Sequence, residues 1–184
     1  TVIDEEVFSG CTSLESIVIP QGVTKIEQRT FEGCTSLKSI TIPESVTVID
    51  EEVFSGCTSL ESIVIPQGVT KIEQRTFEGC TSLKSITIPE SVTVIDEEVF
   101  SGCTSLESIV ISKGVKEIKE CVFAGCTSLT TLTLPIGVNK IKKQVFDKCS
   151  ALSTIYVPAK KTDYYKRRLP EELHDKIVEL EPKK

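Results

Sequence analysis

The chain has no methionine, no tryptophan, one histidine and one asparagine among 184 residues, and only 5% of it is aromatic. A single His174 leaves no histidine pair for acid–base work or for a zinc site. No Gly-rich phosphate loop, paired-cysteine zinc spacing or nucleophile elbow is present. We therefore expect no catalytic residues, no cofactor and no metal. No apolar run approaches membrane-spanning length, so no membrane span is expected. Without Met, Thr1 is not expected to be a native translation start, and the chain opens in the middle of a repeat at Thr1-Val2-Ile3.

What is present recurs. Cysteine stands at 11, 34, 57, 80, 103, 126 and 149, and all seven Phe stand at 8, 31, 54, 77, 100, 123 and 146. The spacing is 23 residues throughout. A fixed period of this size is the signature of a solenoid, in which each coil buries its apolar side only against its neighbours. Full units begin at Ile19, Ile42, Ile65, Ile88, Ile111 and Leu134, after a partial first unit. The eight Cys are about 4% of the chain, below the density of a disulfide scaffold. Seven form one inward column. Adjacent rungs are near enough for a disulfide, but seven rungs cannot pair completely, so buried thiols are expected. Cys121 stands outside the column and is the candidate for an exposed, reactive thiol.

Within a unit, Leu37-Lys38-Ser39-Ile40-Thr41-Ile42 alternates apolar and polar residues and is rich in β-branching, which predicts a short strand. Pro43 ends it, because proline cannot donate to a ladder. Seven such strands, centred near 17, 40, 63, 86, 109, 132 and 155, are expected to stack in parallel. On the return path, Asp50-Glu51-Glu52-Val53-Phe54 predicts a single helical or 3₁₀ turn, and Gly56 a left-handed stop. Thr58-Ser59 is expected to bond back to local backbone.

The combined pattern L-x-x-I-x-I-P, V-x-x-I and F-x-G-C-T-S-L resembles the BspA-like leucine-rich-repeat family of bacteria across residues 1–157. The resemblance implies an α/β solenoid: a right-handed superhelix with a parallel concave sheet and short helical or 3₁₀ turns on the convex side. It also implies a secreted or surface-attached protein of adhesin type. The chain departs from commoner leucine-rich repeats in lacking their asparagine ladder. Asn139 is the lone Asn, and the Cys column is expected to take the comparable place.

Above the 23-residue period lies a longer one. Residues 1–64 are identical to residues 47–110, exposed positions included. Substitutions at exposed sites cost little, so folding does not require this identity. It points to an engineered array or a very recent duplication. The two parts of the chain also differ in charge. Residues 1–112 carry 6 Lys/Arg against 18 Asp/Glu, and residues 113–184 carry 15 against 9. The basic residues have no aromatic interleaving, so no nucleic-acid partner is expected. Residues 158–184 break the period and are read as a C-terminal cap, with Thr162 as helix N-cap, a short helix from Pro170 and an edge-covering segment Ile177–Leu180. The first coil has no such cover. Val2, Ile3, Val7 and Phe8 are expected to be partly uncovered there, with self-association of chains as the consequence.

Asp4-Glu5-Glu6 and its copies lack the alternation of a calcium loop and are read as solvated helix starts. The one constellation with the shape of a site is the outward side of the strands. Ser16, Ser39, Ser62, Ser85, Ser108 and Thr131 form one column, with Thr154 continuing it. Val18, Thr41, Val64, Thr87, Val110, Thr133 and Tyr156 form the next, and Glu15, Lys38, Glu61, Lys84 and Glu107 alternate in sign beside them. This face is the candidate for binding a protein or a glycan. Binding hot spots usually use Trp, Tyr or Arg, and Tyr156 is the only one here. The sequence thus predicts a non-enzymatic interaction or adhesion module, or alternatively an engineered scaffold without a native ligand.

Overall fold

In the computed structural model, which describes residues 1–181, every unit contributes one coil of a parallel β-solenoid. The seven predicted strands are Ser16–Val18, Ser39–Thr41, Ser62–Val64, Ser85–Thr87, Ser108–Val110, Thr131–Thr133 and Thr154–Val157. They pair in register at 23-residue steps, Ser16 with Ser39 and Thr131 with Thr154. A second ladder of two-residue strands, from Val2–Ile3 to Lys140–Ile141, runs along another side of the coil. Both ladders are interrupted at one place, between Ser39–Thr41 and Ser62–Val64 in the first and between Val48–Ile49 and Lys71–Ile72 in the second. Across that seam the turn side stays joined. The amides of Glu52, Phe54 and Gly56 donate to the carbonyls of Gln74, Thr76 and Glu78 at 3.0, 2.9 and 2.7 Å.

The return path differs from expectation. Asp50–Phe54 is a hydrogen-bonded turn and not a helical one. Glu52 sits in the left-handed region at φ 57°, as do its equivalents Glu6, Arg29, Arg75, Glu98, Cys121 and Gln144. A left-handed L-residue costs about 1–2 kcal/mol and cannot continue a helix. It turns the peptide so that its amide reaches the neighbouring coil, Arg29 N–H to Glu51 O at 3.1 Å. Gly56 is left-handed as expected, at φ 69°. A Cβ there would lie 3.7 Å from the Gly33 Cα, an ordinary contact, so the left-handed turn and not crowding is what favours glycine. The Thr58 hydroxyl donates across coils to Thr35 O at 3.3 Å and does not bond back to its own loop.

The core is a set of columns. Phe31, Phe54, Phe77, Phe100 and Phe123 are wholly buried, and the seven rings stack with centroids 5.3–5.9 Å apart. That separation is the range of favourable offset stacking. The Cys column is buried apart from the half-buried Cys11, and every thiol is free. Each interior thiol donates to the Phe carbonyl of the preceding coil, as Cys57 Sγ does to Phe31 O at 3.1 Å and Cys103 Sγ to Phe77 O at 3.2 Å. Each of these carbonyls also accepts a local amide, as Phe31 O does from Cys34 N–H at 3.1 Å, so the thiol column supplies a second donor at each step. Burial pushes Cys57 and Cys103 up to about 12 and raises Cys80 strongly as well.

After Val157 the chain forms a helix, Thr162–Lys166, a 3₁₀ helix, Glu171–Lys176, and a strand, Ile177–Glu179, that pairs in parallel with Thr154–Val157. Thr162 is not the N-cap; Lys161 holds that position without a side-chain cap bond. The Thr162 hydroxyl instead donates to Glu179 at 2.6 Å. The backbone amides of Lys160 and Thr162 donate to the same carboxylate, and together these bonds hold Glu179 at about 2. Tyr165 is buried with its hydroxyl on Pro135 O. Residues 182–184 of the expected cap lie outside the described residues.

Two outcomes follow from this packing. Phe77→Ala, which opens a cavity in the middle of the ring stack, should lower the unfolding free energy by about 3–5 kcal/mol in urea titration. An unchanged unfolding midpoint would remove the ring stack as the source of stability. The thiols give the second. A buried thiol with a raised value stays protonated while the unfolded chain ionises near about 8.5, so its stabilisation is whole below that pH and is lost as pH climbs towards the folded value. Urea midpoints should therefore fall steeply from pH 8.5 to 11. Replacing Cys57 or Cys103 by Val should remove about 1.4 kcal/mol per pH unit from that slope for each thiol.

Candidate functional site

The outward side of the long ladder brings the predicted columns together. Because successive side chains of a strand point to opposite faces, Ile17, Ile40, Ile63 and their equivalents turn inward while the flanking Ser and Val or Thr turn out. Ser16, Ser39, Ser62, Ser85 and Ser108 are exposed, as are Glu15, Lys38, Glu61, Lys84, Glu107, Thr41 and Thr87. Val18, Val64 and Val110 are exposed at 71%, 74% and 62%. Thr131, Thr133, Thr154 and Tyr156 are half-buried.

The charges pair in twos rather than in a continuous row. Lys38 meets Glu15 at 3.0 Å and Lys84 meets Glu61 at 3.4 Å, while Glu107 has no cation within 4.0 Å among the described residues. Such exposed pairs contribute little to stability. They leave a face on which isolated valines stand among small hydroxyls and neutralised charges.

Two features of this face were not read from the sequence. Val178 pairs in register with Tyr156 and is 45% exposed, so it extends the Val/Thr column by one step and half-covers the only aromatic side chain there. The alternation Ile177-Val178-Glu179-Leu180 was the available signal, though it lies outside the period. The second is a groove of about 520 Å³ lined by Ser85, Thr87, Glu90, Ser108, Val110, Ser112 and Lys113 among others. It lies where the repeat changes: Ser112 stands where the other units have Pro, and its hydroxyl donates to Pro89 O at 2.9 Å. Lys113 and Glu90 bridge at 2.9 Å beside it.

Outside the face, the chemistry is quiet. Cys121 is only half-buried, but burial and the carboxylates of Glu98, Asp147, Glu120 and Glu97 push its thiol up, which makes it a poorer nucleophile than its exposure suggested. It occupies the left-handed position that Glu or Arg fills in the coils before it. His174 Nε2 lies 3.1 Å from Leu169 O, within the segment that closes the last coil. No helix is long and apolar enough to cross a membrane among the described residues.

Comparison with known proteins places this architecture. The sequence profile described as "BspA type Leucine rich repeat region" matches in six copies, over residues 1–103 and 76–169. A leucine-rich repeat protein of T. pallidum is 35% identical with a TM-score of 0.79, the alignment covering 82% of this chain and 71% of that one. A leucine-rich repeat protein of Bacteroides ovatus is 29% identical with a TM-score of 0.58, over 98% of this chain and 57% of its own length. The pneumococcal vaccine antigen PcpA, 17% identical with a TM-score of 0.54 over 79% of this chain and 51% of that one, shares the fold. No curated protein matches the chain.

Proposed function

The chain belongs to the BspA-type leucine-rich repeat family, and we propose that it is a non-enzymatic interaction module that binds a protein or a glycan through the outward face of its long ladder. The proposal includes a right-handed superhelix with that face on its concave side, and a secreted or bacterial cell-surface location of the adhesin type. The observation that carries it is the run of valines at 18, 64 and 110, each more than half exposed on a sheet whose other side is a dense core. Exposed apolar groups in a regular row give up water on contact, and the neutralised Glu and Lys pairs beside them add little desolvation cost. The groove at Ser85–Lys113 is a recess on that face where a ligand side chain gains contact. The open face of the first coil is a second contact surface, suited to pairing with another chain.

A second reading keeps one specific support. Residues 1–64 and 47–110 are identical even at exposed Gln21 and Gln67, which suits an array amplified or engineered for regular stacking without a native ligand. The two readings part on a single experiment. Glycan arrays and panels of purified surface proteins should yield a ligand for the chain, and Val64→Asp with Val110→Asp should weaken it by about tenfold or more. The same variant should keep its unfolding free energy within about 0.5 kcal/mol, since both side chains are at the surface. A ligand that ignores both substitutions would sink the sheet-face reading, and a complete lack of ligands would favour the array.

A further inference from the structure

The seam in the two ladders lies between one pair of coils, residues 38–60 and residues 61–83. On the short-strand side the other interfaces are bonded at two places. Thr24, Thr47 and Thr93 donate their amides to the carbonyls of Thr1, Thr24 and Thr70 at 2.8, 3.0 and 2.9 Å. Asp50, Asp96 and Lys119 donate theirs to Ile26, Ile72 and Ile95 at 3.0, 3.0 and 3.1 Å. The Thr70 and Glu73 amides stand at the same places across the seam, and neither reaches a backbone carbonyl among the described residues. A narrow void too small for a water molecule lies there between the two coils, lined by Ile49, Ile65, Val69 and Ile72 among others. On the turn side the same two coils are fully joined, with Cys80 Sγ on Phe54 O at 3.2 Å and the rings of Phe54 and Phe77 stacked at 5.6 Å.

Composition does not separate the open interface from a closed one. Because residues 47–110 repeat residues 1–64, Val48–Ile49 and Lys71–Ile72 have the sequences of Val2–Ile3 and Lys25–Ile26. The earlier pair is in register, Val2 with Lys25 and Ile3 with Ile26, and the later pair is not joined. One sequence therefore adopts both states, the mark of an element with two arrangements of similar energy.

Charge distinguishes the seam from its neighbours. Among the described residues no ion pair crosses it, whereas Lys25 meets Asp50 at 3.1 Å across the interface before it and Lys71 meets Asp96 at 2.7 Å across the interface after it. Asp50 and Glu73 follow one another in a single column, and the cation of each is drawn elsewhere, Lys25 to the preceding coil's side of Asp50 and Lys71 to Asp96. At the next interface of this type Lys119 stands where Glu73 does. It meets Asp96 at 2.7 Å, and there the ladder is closed. Asp4 also precedes an acid, Glu27, but Asp4 is exposed where Asp50 is half-buried, so water screens it better.

We infer that the seam is a hinge built into the array. The coils on either side turn about the joined turn row, opening and closing both ladders, and the successive carboxylates of Asp50 and Glu73 bias it open. The hinge divides the outward face, with Val18 and Thr41 on one side and Val64 and Val110 on the other. It works whether or not that face holds a ligand.

The test measures distances on the free 184-residue chain by pulsed electron spin resonance. Nitroxides carried on a keto amino acid, which spares the native thiols, replace exposed Glu15 and Glu107 in one sample and exposed Glu61 and Ser153 in another. Both pairs span four coil steps, about 20 Å, and only the first crosses the seam. The first distance distribution should be about twice as broad as the second. Raising salt from about 20 to 500 mM, which screens the two carboxylates, should narrow the first and leave the second alone. Glu73→Lys, which copies the Asp96–Lys119 arrangement, should narrow the first to the width of the second, and Glu73→Gln should narrow it part of the way. Urea titration of each variant should still show a cooperative transition. Equal widths for the two pairs, or a broad first distribution that is indifferent to salt and to Glu73→Gln, would each overturn the inference.

Discussion

The structure depends on sideways hydrogen bonding between coils at a step of 23 residues. In a helix or a hairpin, amides find carbonyls nearby in sequence. Here most of them find carbonyls one unit away, such as Asp50 N–H on Ile26 O and Phe54 N–H on Thr76 O. That constraint fixes the length of the unit, because one extra residue would turn every following side chain to the wrong face. It also explains why non-glycine residues accept a left-handed backbone at Glu6, Arg29 and their equivalents. The local cost is repaid by an amide bond to the next coil and by a place in a charged row. The thiol column obeys the same rule, since each Sγ–H reaches back 26 residues to a Phe carbonyl and joins the local Cys amide already bonded there.

Burial was legible from the sequence because period and hydrophobicity report it directly. Ile17, Ile40 and Ile63 stand at the centre of strands where alternation put them, and the Phe and Cys columns face inward. Backbone dihedrals were not legible. Asp50-Glu51-Glu52 has the local composition of a helix start, and tertiary pairing overrides that preference by turning Glu52 left-handed. For the same reason Thr162 failed as an N-cap. Its hydroxyl finds Glu179, a partner brought close by the chain's return and invisible in the local sequence.

The candidate ladder face was legible as columns but not as a surface. Periodicity gave Ser16, Val18 and their copies, whereas exposure depends on what lies at each end. Tyr156 is half-covered because Ile177–Glu179 pairs against its strand. The groove depends on Ser112 in place of a proline, a change that looks minor in the sequence. A repeat array carries its information for recognition in departures from the repeat, because uniform positions serve stacking first.

The longer period has its own physical reason. Identity over a block of two units, rather than one, follows from the charges that cross each interface. Arg29 sits between Glu52 and Glu6 of the neighbouring coils, and Lys71 reaches Asp96 of the next coil. Copying a single unit would stack Glu on Glu or Arg on Arg at the left-handed position, one coil apart. Copying a pair preserves every contact. Each exposed pair is worth little alone, but the alternation is repeated at several columns, so a slip by one coil reverses all of them together while a slip by two reverses none. Two units are therefore the smallest block of this chain that can be copied without electrostatic cost.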